Sequence, residues 1–281
     1  MIELVANRYG KAAIRLVRVT RDPGGHRVRD LTVAIALEGD FDAAHTDGDN
    51  ANVIATDTMK NTAYVFAKDH LDGSIEAYGR ALAEHFLAEP QVDIASVNIR
   101  AHQWTAIDVA GTPAPDAFVR GGEGTRVATV SASHAGIAVE AGVEDLIVMK
   151  TSRSSFTGFP PDRYTTLPET DDRLMATKLT AIWRYGSPDV DDDATFLAVR
   201  TTLLEVFADH DSASVQASIW IMGRAILERH DEVEEVRMVL PNLHHWLVDL
   251  SPFGLENDRE VYTPTTEPHG LIEATVRRGE G

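Results

Sequence analysis

Apolar and polar residues alternate through residues 12–21, AAIRLVRVTR, and again through residues 26–39, HRVRDLTVAIALEG, with DPGG between them. A period of two places one set of side chains on each face of a strand, and the Pro-Gly-Gly cluster marks a turn. The pattern predicts a β-hairpin with one solvated face. Residues 40–68 are rich in Gly and Asn and read as a loop, with a short helix near residues 57–67. Within residues 74–87 the period changes: Ile75, Tyr78, Leu82 and Phe86 recur at helical spacing. Alternation returns in VDIASVNIRAHQWTAI, which reads as one strand. GTPAPDAFVRGGEG follows as a loop or hairpin tip, and TRVATVSAS as a further strand.

The second half repeats this order. AGIAVEAGVEDLIVMKTS reads as two short strands or a hairpin, FTGFPPDRYTTLPETDDRLMAT as a loop with turns, and KLTAIWRYGS as a strand. Phe196, Val199, Leu203 and Val206 mark one helix and Ile219, Met222 and Ile226 another. The acidic DVDDD before the first of these reads as a helix cap, where carboxylates meet unpaired N–H groups. VEEVRMVLPNLHHWLVDL is expected to be a strand with a turn or bulge at Pro241, and GLIEATVRR alternates once more. The chain is therefore expected to hold two similar α+β units, residues 1–133 and 134–281. The repeat is one of architecture, since residue identity between the halves is slight. Antiparallel sheets with helices on one face leave edges that oligomerisation would cover.

Composition narrows the partners. The 281 residues, 43% of them hydrophobic, can bury a sizeable core. A net charge of −18 disfavours nucleic acid and anionic membranes, so an anionic ligand would need cations placed locally. The absence of cysteine excludes disulfides, thiolate metal sites and cysteine nucleophiles. No basic region followed by a long apolar run opens the chain, and the C-terminus carries no Ser-Lys-Leu tripeptide. A cytoplasmic location is expected on that basis. The eleven histidines show no convincing metal spacing, and no metal is expected.

What remains is a set of polar residues in unusual settings. Lys11 stands at the start of the first strand, in YGK. Thr56 and Asp57 follow an apolar run at a helix start. Phe156 and Arg173 bracket a long loop, and Val215 and Gln216 open a helix. In PNLHHWL, alternation puts Asn242, His244 and Trp246 on one face of a strand and His245 on the other. Each residue has an ordinary structural explanation when taken singly: an exposed lysine, a helix cap, a loop aromatic, an arginine paired with Asp171 or Asp172, a satisfied buried histidine.

Taken together they match one family. YGK, ATDT, F.GF..D.YTTL.ET.DR, SVQ, PN.HH and GLIEAT occur in this order, from Tyr9 to Thr275. The chain resembles urate oxidase (uricase). That resemblance implies the tunnelling fold: two tandem units per chain, each an antiparallel sheet with two helices, assembling into a barrel-like homotetramer with active sites at subunit interfaces. It implies a cofactor-independent oxidation of urate by dioxygen and water to 5-hydroxyisourate and hydrogen peroxide. Arg173 and Gln216 would grip the purine, Phe156 would stack on it, and the Val215 and Asp57 backbones would add hydrogen bonds. Asn242 would hold dioxygen or water, and Lys11, Thr56 and His244 would relay protons. Leu243 and Asp116 depart from residues common in the family, and the tail after GLIEATVRR is shorter than usual. Two other readings share the fold or the pocket: a pterin-processing enzyme, which would need a Glu anchor and often zinc, and a non-catalytic purine-binding oligomer.

Overall fold

The computed structural model describes residues 2–279, so the last two residues of the C-terminal tripeptide considered above lie outside the described residues. The chain forms two compact units. One takes Met1–Gly142 together with Arg184–Phe196, the other Val143–Trp183 together with Leu197–Gly281.

In the first unit, β1 (Tyr9–Asp22) and β2 (Gly25–Gly39) form the expected hairpin, paired antiparallel from Tyr9↔Leu37 to Asp22↔Gly25. Leu31, Val33, Ile35 and Leu37 of β2 and Ile14 and Leu16 of β1 are buried, while Val17 on the other face is exposed. The register shifts between Lys11 and Ile14, where Ala13 has a φ of 56°; this is a β-bulge beside the candidate lysine. Three helices follow: a single turn α1 (Asp42–Thr46), α2 (Thr56–His70) and α3 (Ile75–Leu87). The Ser74 hydroxyl accepts from Ala77 N at 2.9 Å and caps α3, whose Tyr78, Leu82 and Phe86 are fully buried, as their spacing requires.

The strand expected over residues 92–107 is two strands, β3 (Val92–His102) and β4 (Trp104–Val109). The proline-bearing segment read as a loop or tip is β5 (Thr112–Arg120), which, among the described residues, pairs only with β4. A two-stranded ribbon leaves one side of each strand without a ladder, so prolines there remove no needed donor. Trp104 Nε1 and Arg120 Nη1 reach Asp30 of β2 at 2.9 and 3.3 Å and tie the ribbon to the sheet. β6 (Thr125–Ser133) completes the order β1-β2-β3-β6, antiparallel throughout.

β7 (Gly136–Lys150) is one strand of 15 residues, not the two short strands or hairpin expected. Asp145, with a φ of 59°, breaks its alternation without ending it. β8 (Met175–Tyr185) follows, and then α4 (Asp192–Asp209). The acidic run before and within the first turn of α4 caps it as expected: Asp191 Oδ1 accepts from Ala194 N at 3.1 Å. The next two carboxylates bind arginines of the first unit. Asp192 accepts from both Arg80 Nη atoms, at 2.7 and 2.9 Å, and from the Ser74 hydroxyl at 2.8 Å. Arg126 donates to Asp193 at 2.6 Å and to the fully buried Glu76 at 2.7 Å. Burial outweighs the Arg126 charge and pushes the Glu76 carboxyl up to about 7.

In the second unit, α5 (Val215–Arg229) lies against β9 (Val233–Leu247) and β11 (Leu271–Arg277) with Ile219, Met222 and Ile226 buried. Lys150 Nζ donates to the Phe207 and Ala208 carbonyls at 3.0 and 3.1 Å, closing the end of α4. The expected break at Pro241 is not in β9, which runs through it. Its partner breaks instead: β11 pairs as far as Leu271↔Pro241, and β10 (Tyr262–Thr265) takes over from Thr265↔His244 to Tyr262↔Leu247. The architecture is α+β with antiparallel pairing, as expected.

Candidate functional site

One short segment of the second unit organises four of the expected residues. The backbone of residues 153–156 forms a parallel bridge, Ser154↔Ser212, and an antiparallel one, Phe156↔Thr170. Arg173 N donates to Ser154 O at 2.7 Å, Ser155 N to Ser212 O at 2.8 Å, and Ser212 N to Arg153 O at 2.9 Å. Arg173 and Phe156 are thereby held beside the residues that lead into α5. Its cap is Ser214, whose hydroxyl accepts from Ala217 N at 3.1 Å, so Val215 and Gln216 are the first two residues of the helix. Their N–H groups have no partner within the helix. Gln216 extends into solvent, and Val215 is buried.

The electrostatic state of Arg173 is the informative feature. Its guanidinium carbon lies 5.2 Å from the centre of the Phe156 ring, and that ring stacks on Phe159 at 5.0 Å. Among the described residues, neither expected partner, Asp171 nor Asp172, pairs with it. Asp172 faces Arg259 at 3.5 Å, and burial alone lowers the Arg173 pKa, with no carboxylate offsetting it. Arg173 Nε is buried and, among the described residues, unpartnered. A half-buried cation with an unused donor is costly unless something anionic completes it.

The strand β9 supplies the second wall. Asn242 Nδ2 and His244 Nδ1 are 3.4 Å apart, and His244 stacks on Trp246 at 5.3 Å with 18° between the rings. The three residues share one face, as alternation requires. His245 is separate: its Nδ1 lies 2.9 Å from Leu243 O. Asn242 stands at the change of partner strand and donates its N–H to Gly270 O at 2.8 Å. Burial first, and then the Arg173 charge, lowers the His244 pKa below the usual imidazole value, which keeps the ring neutral at neutral pH.

Lys11, Thr56 and Asp57 belong to the first unit. Gly10 sits so close to β2 that a Cβ there would lie 1.9 Å from Ile35 O, so only glycine allows the approach that seats Lys11. The Tyr9 hydroxyl accepts from Ile54 N at 2.9 Å and lies 3.3 Å from Ile54 O, which fixes the chain two residues before Thr56. Thr56 and Asp57 are the first two residues of α2. The preceding Ala55 offers no side-chain cap, and among the described residues the Thr56 hydroxyl binds no other group, so it is not consumed in capping. The Asp57 carboxylate is held by Lys60 and by Asn61 Nδ2, the latter at 2.9 Å, leaving its backbone as the group on offer. The Lys60 hydrogen bond and charge lower the Asp57 pKa most, and the Lys11 charge adds a smaller effect. Asp116 lies exposed on β5.

A family model described as uricase matches residues 7–131 and 139–273. The chain belongs to the uricase family. It is 45% identical over 280 residues to the uricase of Arthrobacter globiformis, covering 99% of this chain and 90% of that one. It is 39% identical over 282 residues to the uricase of Dictyostelium discoideum, covering 99% and 98%. The crystal structure of the Arthrobacter globiformis uricase superposes with a TM-score of 0.94 at 44% identity, over 100% of this chain and 96% of that one. The fold is therefore the tunnelling fold expected from the motifs.

Within the uricase motifs, the structure separates scaffold from chemistry. Gly158, with a φ of 74°, turns the chain after Phe156, and Glu169 Oε1 accepts its N–H at 2.7 Å. Asp162 closes the next turn through Tyr164 N at 2.8 Å. Tyr9, Gly10 and Ser212 were not singled out from the sequence. The first two stand beside Lys11 in YGK, so the motif itself carried the signal. Ser212 lies outside every motif, and only the bridge to Ser154 exposes it.

Proposed function

We propose that this chain oxidises urate with dioxygen and water, giving 5-hydroxyisourate and hydrogen peroxide, with no cofactor and with the residues above in the following roles. The observation that carries the reading is Arg173: a half-buried guanidinium over Phe156 that, among the described residues, has no carboxylate partner and an unused Nε donor. Paired oxygen and nitrogen acceptors on the edge of an anionic purine match its planar fork. Gln216 offers a donor and an acceptor to the same ring, Val215 and Asp57 offer backbone N–H groups, and Phe156 offers a stacking face.

Urate anion is electron-rich and itself supplies the two electrons that reduce dioxygen to peroxide. Water then adds to the dehydrogenated purine. The protein must hold the ring, keep dioxygen or water above it, and move protons. Asn242 holds the small molecule, and the neutral His244 beside it accepts or passes a proton. Lys11 and the Thr56 hydroxyl complete the relay. The active assembly is a homotetramer in which Lys11, Thr56 and Asp57 of one subunit face the remaining residues of its neighbour. Large apolar side chains left exposed, among them Val65, Ile147, Trp220 and Phe253, support an assembly of this kind.

The test follows loss of urate ultraviolet absorbance and oxygen uptake together, with and without a chelator. Equal consumption of urate and oxygen, unaffected by the chelator, is expected. Binding without turnover, or turnover that the chelator abolishes, overturns the reading.

A further inference from the structure

Two halves of the urate grip converge on one residue that, among the described residues, hydrogen-bonds to neither Arg173 nor Gln216. Arg173 and Phe156 are set by the backbone of residues 153–156, and Val215 and Gln216 by the start of α5. Ser212 joins them: its N–H donates to Arg153 O at 2.9 Å and its carbonyl accepts from Ser155 N at 2.8 Å. It is only 2% exposed. Its hydroxyl belongs to a buried chain, with Ser212 Oγ 2.8 Å from Ser218 Oγ and Ser218 Oγ 2.7 Å from His210 Nε2. His210 Nδ1 lies 2.7 Å from Val206 O.

In a neutral ring, the carbonyl contact of His210 fixes its tautomer. A carbonyl only accepts, so His210 Nδ1 carries the ring hydrogen and Nε2 accepts. Ser218 Oγ can donate to Nε2 and accept from Ser212, and Ser214 O, the carbonyl of the α5 cap, lies 3.1 Å from both serine hydroxyls. The chain therefore anchors Ser212 to the first turn of α5 and to the end of α4. We propose that Ser212, held by Ser218 and His210, is a positioning residue that sets Val215 and Gln216 against Arg173 and Phe156. The inference rests on the reading of those four residues as the urate grip.

The test is anaerobic equilibrium binding of urate, together with KM and kcat in air. Ser212→Ala is expected to raise Kd and KM about fivefold, the value of one modest hydrogen bond, with kcat changed less than about twofold. Ser218→Ala is expected to act in the same direction, and the double variant to cost less than the sum of the two, because both break one chain. Ser131→Ala removes a different, part-buried hydroxyl pair, to Ser96 at 3.0 Å, and is expected to leave Kd unchanged. If Ser212→Ala does not fold, Ser218→Ala carries the same comparison. Gln216→Ala, measured alongside, is expected to raise Kd. If it does while Ser212→Ala and Ser218→Ala leave Kd unchanged, the positioning role is overturned and the grip stands. If Gln216→Ala leaves Kd unchanged, the grip itself is overturned and the inference falls with it.

Discussion

Replacing Arg173 by Met should make the unliganded protein more stable and the enzyme almost unable to hold urate. Methionine keeps an unbranched apolar stem of similar reach and removes the cation. The buried, unpartnered Nε is a liability of about 1–3 kcal/mol when no ligand is present. Against its removal stands the lost cation–π contact with Phe156, at 5.2 Å, which contributes about 0.5–1 kcal/mol at a partly exposed site. The balance favours the variant by about 1 kcal/mol, which for a chain of this size raises Tm by about 2–4 °C. With urate bound the sign reverses. Two charge-assisted hydrogen bonds are worth about 3–6 kcal/mol together, so Kd should rise by roughly a hundredfold or more. Calorimetry without ligand and anaerobic urate binding measure the two effects separately. A Tm several degrees below that of the parent protein would show that the guanidinium holds the structure together, and an unchanged Kd would remove Arg173 from the pocket.

Other outcomes follow from the same geometry. Tyr9→Phe leaves Ile54 N without its partner, so it should cost about 1–3 kcal/mol of stability and lower kcat more than it alters KM; equal kinetics would disconnect Tyr9 from the Thr56 end of α2. Lys11→Ala and Thr56→Ala should lower turnover while urate binds nearly as before, and near-parental kcat in either would sink the relay. Because the His244 pKa is lowered from 6.5, the ring is neutral above that value in both folded and unfolded chains and contributes no pH dependence there. As pH falls below 6.5 the unfolded chain takes up the proton first, so stability and the neutral-ring activity are lost toward the lower folded pKa. Arg173→Met should move that folded value up in an NMR titration of His244, and a downward move would contradict the Arg173 contribution. Glu76 has the opposite linkage: its carboxyl is raised from 4.5 to about 7, so the parent should lose stability relative to Glu76→Gln as pH rises between those values. A pH-independent difference in melting temperature between the two would show that Arg126 keeps Glu76 ionised throughout.

The elements most legible in the sequence were those with one buried face. The β1–β2 hairpin, the apolar stripe of α3 and the split of Asn242, His244 and Trp246 from His245 all follow from period alone, because burial on one side enforces it. The segments misread had lost that constraint. β5 pairs on one side only and tolerates prolines, so it looks like a loop, and β7 carries Asp145 in a left-handed conformation that interrupts its alternation. For the site, residue types and order pointed to the chemistry, while the state of each residue did not. That Asp172 faces Arg259, leaving Arg173 without a carboxylate, depends on which of several acids meets which arginine in space. The convergence of two loops on Ser212 is likewise a property of long-range pairing, with no local pattern to announce it.

The carboxylates at the start of α4 bear on how the chain is made. Arg80, Glu76 and Arg126 emerge from the ribosome early, but Asp192 and Asp193, which neutralise the two arginines, are translated well over fifty residues after Arg126. Until then both cations are without those partners, and the first unit cannot close its interior around them without a large desolvation cost. Its folding therefore waits for a stretch of chain that most of the second unit's β7 and β8 have already preceded. A nascent chain halted near residue 150 should remain protease-sensitive where one halted well beyond residue 196 does not. Splitting the gene at the apparent repeat would likewise yield an N-terminal fragment lacking two of its own counter-ions.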